Sequence, residues 1–265
     1  MNIGTRIVIV CIFCLSAMLL FILAAWEMPV MQVINESLFE ADLPDLGIFP
    51  ATLRYFSIAF SALSLGSGLV LYILFRKTTS PEILFFVISI LTIGFISLRG
   101  VAEAVRSLSV SNFWYVLLYK AYLFFYLFSL MQYFLGGMFS NGIPFLKKNL
   151  FLSISFFLSF TLVSILPLGH TSVPVSGFSA LTYSGYILIL ARIIEISSVI
   201  NYVAASVRNQ NSQYLLLALA LTSIFVGLEL FMGTASFLPM LIGIILYALS
   251  AFFFAHRIYL IRLWN

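Results

Sequence analysis

A few ionisable residues lie inside long apolar stretches, and they are the first places to look for chemistry. Arg99, Glu103 and Arg106 are spaced four and three apart, so they share one face of a helix. Arg192 and Glu195 are three apart, while Lys120 and Glu229 stand in other apolar runs. A charge within hydrocarbon is costly. Such residues face a bundle interior or a water-filled cavity, pair with one another, or mark a ligand path. Other chemistry is sparse. Cys11 and Cys14 have the C-x-x-C spacing of a redox or zinc pair, but no second pair and no nearby histidine accompanies them. The only histidines, His170 and His256, fall at opposite membrane surfaces in the topology read below, whereas a metal site needs several converging ligands. Neither a nucleophile elbow nor an H-E-x-x-H or Walker spacing is present. We therefore expect no catalytic residue, no metal and no cofactor.

The elements that must position these charges follow from composition. Of 265 residues, 63% are hydrophobic and only 8% are charged, against roughly a quarter charged in soluble domains. That excludes a water-soluble monomer, and it excludes disorder, which needs low hydrophobicity and high charge. A net charge of +4 is too small to favour a nucleic-acid partner. The apolar runs are continuous and do not alternate with period two, so a β-barrel is disfavoured. Helices of about 20 apolar residues span a bilayer. The expected fold is all-α, a polytopic membrane bundle of about eight transmembrane helices. Residues 1–26 form an N-terminal transmembrane helix or signal anchor, with Ala24 and Ala25 offering a weak cleavage site. Residues 27–50 form an acidic segment holding Glu36, Glu40, Asp42 and Asp45 without a Lys or Arg. Residues 51–265 form a seven-helix domain, with spans near 51–75, 81–108, 113–139, 150–168, 180–207, 214–232 and 238–259. On the first of these seven, Ser57, Ser61, Ser64 and Gly68 recur at helical spacing. Small residues on one face form a tight seam or a sliding surface against another helix.

Lys and Arg orient the spans. With the N-terminus in the cytoplasm, Arg6, Arg76, Lys77, Lys147, Lys148, Arg208, Arg257 and Arg262 all fall on cytoplasmic segments. The acids of the first loop fall outside. Eight spans return the C-terminus to the cytoplasm, so both termini are cytoplasmic if the first helix is retained. In this orientation Arg99, Glu103, Arg106, Lys120 and Glu229 lie in the outer half of the membrane, with Arg54 at a helix end there. Arg192 and Glu195 lie deepest. One reading is an outward-facing cavity, net positive, that accepts an anionic ligand. Another is that the acidic loop folds over it as a lid. A third is that each charge pairs locally or snorkels to the interface, with Arg192 and Glu195 an internal pair that fixes helix register.

The order of features resembles a known family. One span ends Gly68-Leu-Val-Leu-Tyr-Ile-Leu-Phe-Arg76-Lys77, and the next begins Ser80-Pro-Glu-Ile-Leu-Phe-Phe and reaches Ser97-Leu-Arg99. Then follow Lys120-Ala-Tyr-Leu-Phe-Phe-Tyr-Leu-Phe and a last span from Pro239 to His256-Arg257. Over roughly residues 51 to 262 this is similar to the membrane module of bacterial seven-transmembrane receptors with diverse intracellular signalling modules. The resemblance implies a sensor of the bacterial inner membrane that changes helix packing when it binds a ligand outside. Such receptors usually carry a folded extracellular domain and a kinase- or cyclase-like output domain. This sequence offers only residues 27–49 outside and nothing of size after Asn265, so the expected output is a separate cytoplasmic or membrane signalling partner. The alternatives are a small-solute transporter and a membrane-embedded accessory subunit. A lipid-modifying enzyme would need clustered acids, histidines or metal ligands at one surface, and none is apparent.

Overall fold

The structure is a computed structural model, and it describes residues 48–75, 80–98, 101, 112–142, 148–165, 184–233 and 237–263. Within them the chain is all-α. The helices are α1 (Ile48–Phe75), α2 (Pro81–Ile93) continued by a 3₁₀ turn (Gly94–Ser97), α3 (Asn112–Ser140), α4 (Lys148–Ile165), α5 (Ser184–Arg208), α6 (Gln213–Gly233) and α7 (Phe237–Leu263). Five of them are long and apolar enough to cross a membrane, with windows at Tyr55–Ile73, Val116–Ser140, Tyr186–Arg208, Gln213–Met232 and Phe237–Ile261. Two apolar helices are shorter, at Pro81–Ser97 and Asn149–Ile165. This is the architecture of a multi-pass membrane protein. The expected first span, Arg99, Glu103, Arg106, Cys11, Cys14, His170 and residues 27–47 of the acidic segment lie outside the described residues, while the last three residues of that segment, 48–50, belong to α1.

The distribution of side chains fits a lipid environment. On α7, Leu238, Ile242, Ile245, Leu249 and Phe252 are all exposed, and their three- and four-residue spacing lays them along one face. On α4, Ile154, Phe157, Leu158, Phe160 and Ile165 are exposed as well. A contiguous apolar surface of this kind needs a non-aqueous partner. Polar side chains, in contrast, are drawn inward: Ser64, Ser89, Ser129, Gln132, Ser159 and Ser198 are all fully buried.

Helix α2 is the centre of the bundle. Every residue from Glu82 to Ile93 is buried, which suits a segment in which only Glu82, Ser89 and Thr92 are polar. Pro81 at its first turn needs no hydrogen-bond donor there. Around it, α1 packs on α2, α3 on α2 and α5, α5 on α6, α6 on α7, and α7 returns to α1, while α4 lies against α3. Stacked rings bridge these helices, as with Phe86 and Phe254 at 4.4 Å and Phe60 and Phe231 at 4.6 Å.

The unbroken span expected near 81–108 departs from regular α-geometry at Gly94. A Cβ there would sit 2.7 Å from Ser64 Oγ, so only glycine lets the backbone come this close to α1. Thr92 Oγ1 donates back to the Ile88 carbonyl at 2.8 Å, and Ser97 Oγ to the Gly94 carbonyl at 2.7 Å. Such back-bonds bend helices, and the tighter 3₁₀ winding follows. The small-residue face of α1 supplies the other side of this contact. Ser57, Ser61 and Ser64 are buried, Ser64 Oγ donates to the Ile90 carbonyl, and Gly68 lies under Leu91.

Candidate functional site

The charges that the described residues bring together are on α5 and α6. Helix α6 follows α5 through a short turn closed by the amide of Asn209 on the Ala205 carbonyl (2.9 Å), with Gln210 at φ 50°. The two helices are therefore antiparallel neighbours. Arg192 lies roughly 12 Å from the start of α5 and Glu229 roughly 6 Å from the end of α6 at 1.5 Å per residue, both measured from the same end of the hairpin. An extended arginine side chain covers that difference by reaching toward the membrane surface.

Arg192 divides its guanidinium between two carboxylates. Nη1 meets Glu195 Oε2 at 3.0 Å, one turn along the same helix, and Nη2 donates to Glu229 Oε2 on α6. The other oxygen of Glu195, Oε1, accepts the hydroxyl of Tyr126 on α3 at 3.0 Å. One cation thus ties α5 to α6, and one carboxylate ties α5 to α3. Exposure is graded across the group: the Arg192 side chain is 45% exposed, Glu229 29% and Glu195 6%. The guanidinium forms the open edge and Glu195 the closed bottom.

Tyr126 belongs to a tyrosine face of α3. Tyr119, Tyr122, Tyr126 and Tyr133 are all buried, at spacings of three, four and seven that keep them on one side of the helix. The rings of Tyr122 and Tyr126 are parallel at 6.4 Å, and the Tyr122 hydroxyl donates to Met232 Sδ at 3.4 Å. The face therefore contacts α6 near Glu229 and α5 at Glu195. The charge pattern of the sequence points to none of these tyrosines, although their periodicity in an apolar helix is a signal for them.

Lys120 is positioned differently. It lies on α3 but turns to α4, where Nζ donates to the Ser164 carbonyl at 3.3 Å. The structure joins Arg192, Glu195 and Glu229 and sets Lys120 on another interface. Arg99 and Glu103 fall outside the described residues. The joined group holds two carboxylates to one guanidinium, so an anion reaches Arg192 only by displacing one of them. His256 stacks on Phe252 at the far end of α7. No group of three metal-ligating side chains occurs among the described residues.

At the opposite end, amides clamp α3 to α5. Asn141 Nδ2 donates to the Asn201 carbonyl at 2.9 Å, and Asn209 Nδ2 to the Ser140 carbonyl at 3.1 Å. At the same end, one turn before Asn141, Gly137 lets α3 approach α5, since a Cβ there would lie 2.8 Å from that of Asn201. The group around Arg192 can thus set the packing of three helices, and an anion arriving at its open edge would compete with Glu229 for the guanidinium. In comparisons with known proteins, no family model, no curated protein and no solved structure matches the chain.

Proposed function

We propose that the chain is a non-enzymatic membrane sensor, which passes an extracytoplasmic signal to a separate partner by repacking its helices. The observation that carries this reading is the division of Arg192 between Glu195 on its own helix and Glu229 on the next, with Glu195 also held by Tyr126. A carboxylate or phosphate ligand that takes one terminal nitrogen of Arg192 releases Glu229, and α6 loses its ionic tie to α5. Arginine suits this exchange because its planar fork binds two acceptors at once. The ligand shifts packing only as far as it prefers the released arrangement to the paired one. The turn from Asn209 to Gln213 still joins the other ends of α5 and α6, so that loss becomes a pivot about the turn. In this reading the termini, the turn at Arg208–Gln213 and the Arg76–Lys77 and Lys147–Lys148 loops are cytoplasmic, and the loops contact the partner. The resemblance to bacterial seven-transmembrane receptors supports the same direction of signalling, across the bacterial inner membrane.

Spin labels at Ile189 on α5 and Val226 on α6, both exposed, test the mechanism in the reconstituted chain. Glu229→Gln is expected to lengthen the distance between them, and cross-linking from Lys147 and Lys148 to capture one defined cytoplasmic partner. An unchanged distance removes the release step. Solute flux into proteoliposomes that disappears in Arg192→Ala would instead establish a transporter, the rival reading.

A further inference from the structure

We propose that the cleft between α6 and α7 binds one anionic phospholipid, with an acyl chain in the cleft and the phosphate on Arg257. The cleft has a volume of about 460 Å³ and is lined by Leu219 and Ser223 of α6 and by Leu249, Ser250, Phe252 and Phe253 of α7. It opens sideways, where lipid tails run, since Leu219, Leu249 and Phe252 are all exposed. Its origin is local. The two helices touch backbone to backbone at Gly227 and Gly243, and one to two turns further on serines in the seam leave it shallow.

Arg257 lies just beyond the end of this cleft that Phe253 lines. It lies one turn beyond Phe253, and its guanidinium carbon is 4.9 Å from the centre of the Phe253 ring. Nη1 donates to Gln213 Oε1 of α6 at 3.0 Å, so the side chain spans the mouth between the two helices. Gln213 is neutral, and neither of the ion pairs of Arg192 involves Arg257; its Nε is buried without a hydrogen-bond partner among the described residues, so a phosphate would meet the terminal nitrogens. The positive charge is thus uncompensated at the point where a headgroup would meet the protein. The cleft residues on α7 lie four to eight positions before Arg257, which places them roughly 6–12 Å deeper along the helix axis. A phosphate on the guanidinium has its first methylenes at that depth. His256, stacked on Phe252 at 6.5 Å, adds a polar group at the same level. An arginine held by a neutral amide and an aromatic ring keeps its planar fork oriented for phosphate.

The purified full-length chain in neutral detergent tests this by thermal unfolding with added lipid. Phosphatidylglycerol is expected to raise Tm by several degrees, while phosphatidylcholine and free glycerol phosphate leave it unchanged. Arg257→Gln should abolish the response, and Arg257→Lys should keep part of it. Ser223→Leu fills the cleft from its partly exposed wall, leaves Arg257 intact and should reduce the response by at least half. Equal shifts with phosphatidylcholine, or a full shift in Arg257→Gln, would overturn the headgroup assignment. A shift with glycerol phosphate alone would overturn the acyl-chain assignment. Should Arg257→Gln fail to fold, an undiminished response in Ser223→Leu is enough to reject the site.

Discussion

Glu195 is where the polar group around Arg192 is most vulnerable. Its side chain is almost wholly enclosed, and it depends on one cation and one hydroxyl. Removing one member of a buried pair leaves an uncompensated charge, which typically costs about 3–5 kcal/mol. Arg192 is nearly half exposed, so solvent and headgroups screen part of that loss. We expect Arg192→Ala to destabilise the purified protein by about 2–3 kcal/mol, and Arg192→Ala with Glu195→Gln to cost clearly less than the sum of the two changes. Tyr126→Phe removes one hydrogen bond to a charged acceptor and is expected to cost about 1.5–3 kcal/mol. Glu229→Gln, at the open edge, should cost least. Thermal unfolding in one detergent gives the ranking, and a Glu229→Gln loss larger than that of Arg192→Ala would contradict the graded burial. Part of this group is legible in the sequence, because Arg192 and Glu195 are one turn apart and any helix brings them together. The link to Glu229 is not, since it depends on the rotation of α5 against α6. Tyr126 was hidden for another reason: a tyrosine in an apolar helix reads equally well as packing, and only its partner reveals the hydroxyl's task.

Among the helices, two kinds of contact hold neighbours together, and each makes its own prediction. The first is steric. At the α6–α7 crossing, a Cβ on Gly227 would lie 2.8 Å from the Tyr247 amide nitrogen and 2.9 Å from the Gly243 carbonyl oxygen. Those are backbone atoms and cannot turn aside, so Gly227→Ala must push the helices apart. Overpacking of this kind typically costs about 1–3 kcal/mol. Gly66 on α1 is the control, because a Cβ there meets nothing within 4 Å. Gly66→Ala should stabilise by roughly 0.5–1 kcal/mol through helix propensity alone. Opposite signs for the two alanines in the same unfolding assay are the expected result, and equal effects would remove the crossing as a determinant of packing. The second contact is polar. Ser89 and Ser129 hydroxyls lie 3.0 Å apart, and Ser129 Oγ also reaches the Ser89 carbonyl at 3.0 Å, joining α2 to α3. Each single alanine leaves the other hydroxyl with a poorer partner, so the double variant should cost less than the two singles combined. Interhelical hydrogen bonds in membranes average about 0.6 kcal/mol, which sets the scale. Apolar run length places the ends of the Gln213–Gly233 helix within a residue, at 214–232, but its span near 81–108 leaves regular α-geometry after Ile93. It did not place the 3₁₀ turn at Gly94 or the Gly227–Gly243 crossing. A glycine in an apolar run carries no sign of which backbone will lie against it.

The chain as a whole is organised by where charge is tolerated. Apolar side chains cover the exposed faces of α4 and α7, while the Arg192 group, with its open edge, lies toward one end of the bundle and Arg257 toward the other. The sensing proposal requires these ends to face opposite compartments, with Arg192 outside and the Arg208–Gln213 turn inside. The proposal places Arg76, Lys77, Lys147, Lys148, Arg208, Arg257 and Arg262 together on the cytoplasmic side, where such residues are usually retained. If the apolar run at 7–26 and all seven described helices cross, as the proposal requires, the count is even, so reporters fused to the two termini should both register in the cytoplasm. A cysteine placed at Asn209 should then resist an impermeant thiol reagent in intact cells and react once the membrane is opened, whereas one at Tyr186 should react from outside. If the two termini report from opposite faces, the number of spans is odd. If the Asn209 cysteine labels from outside, the bundle is inverted. An inverted bundle would place the Arg192 group toward the cell interior, where it could not receive an external ligand.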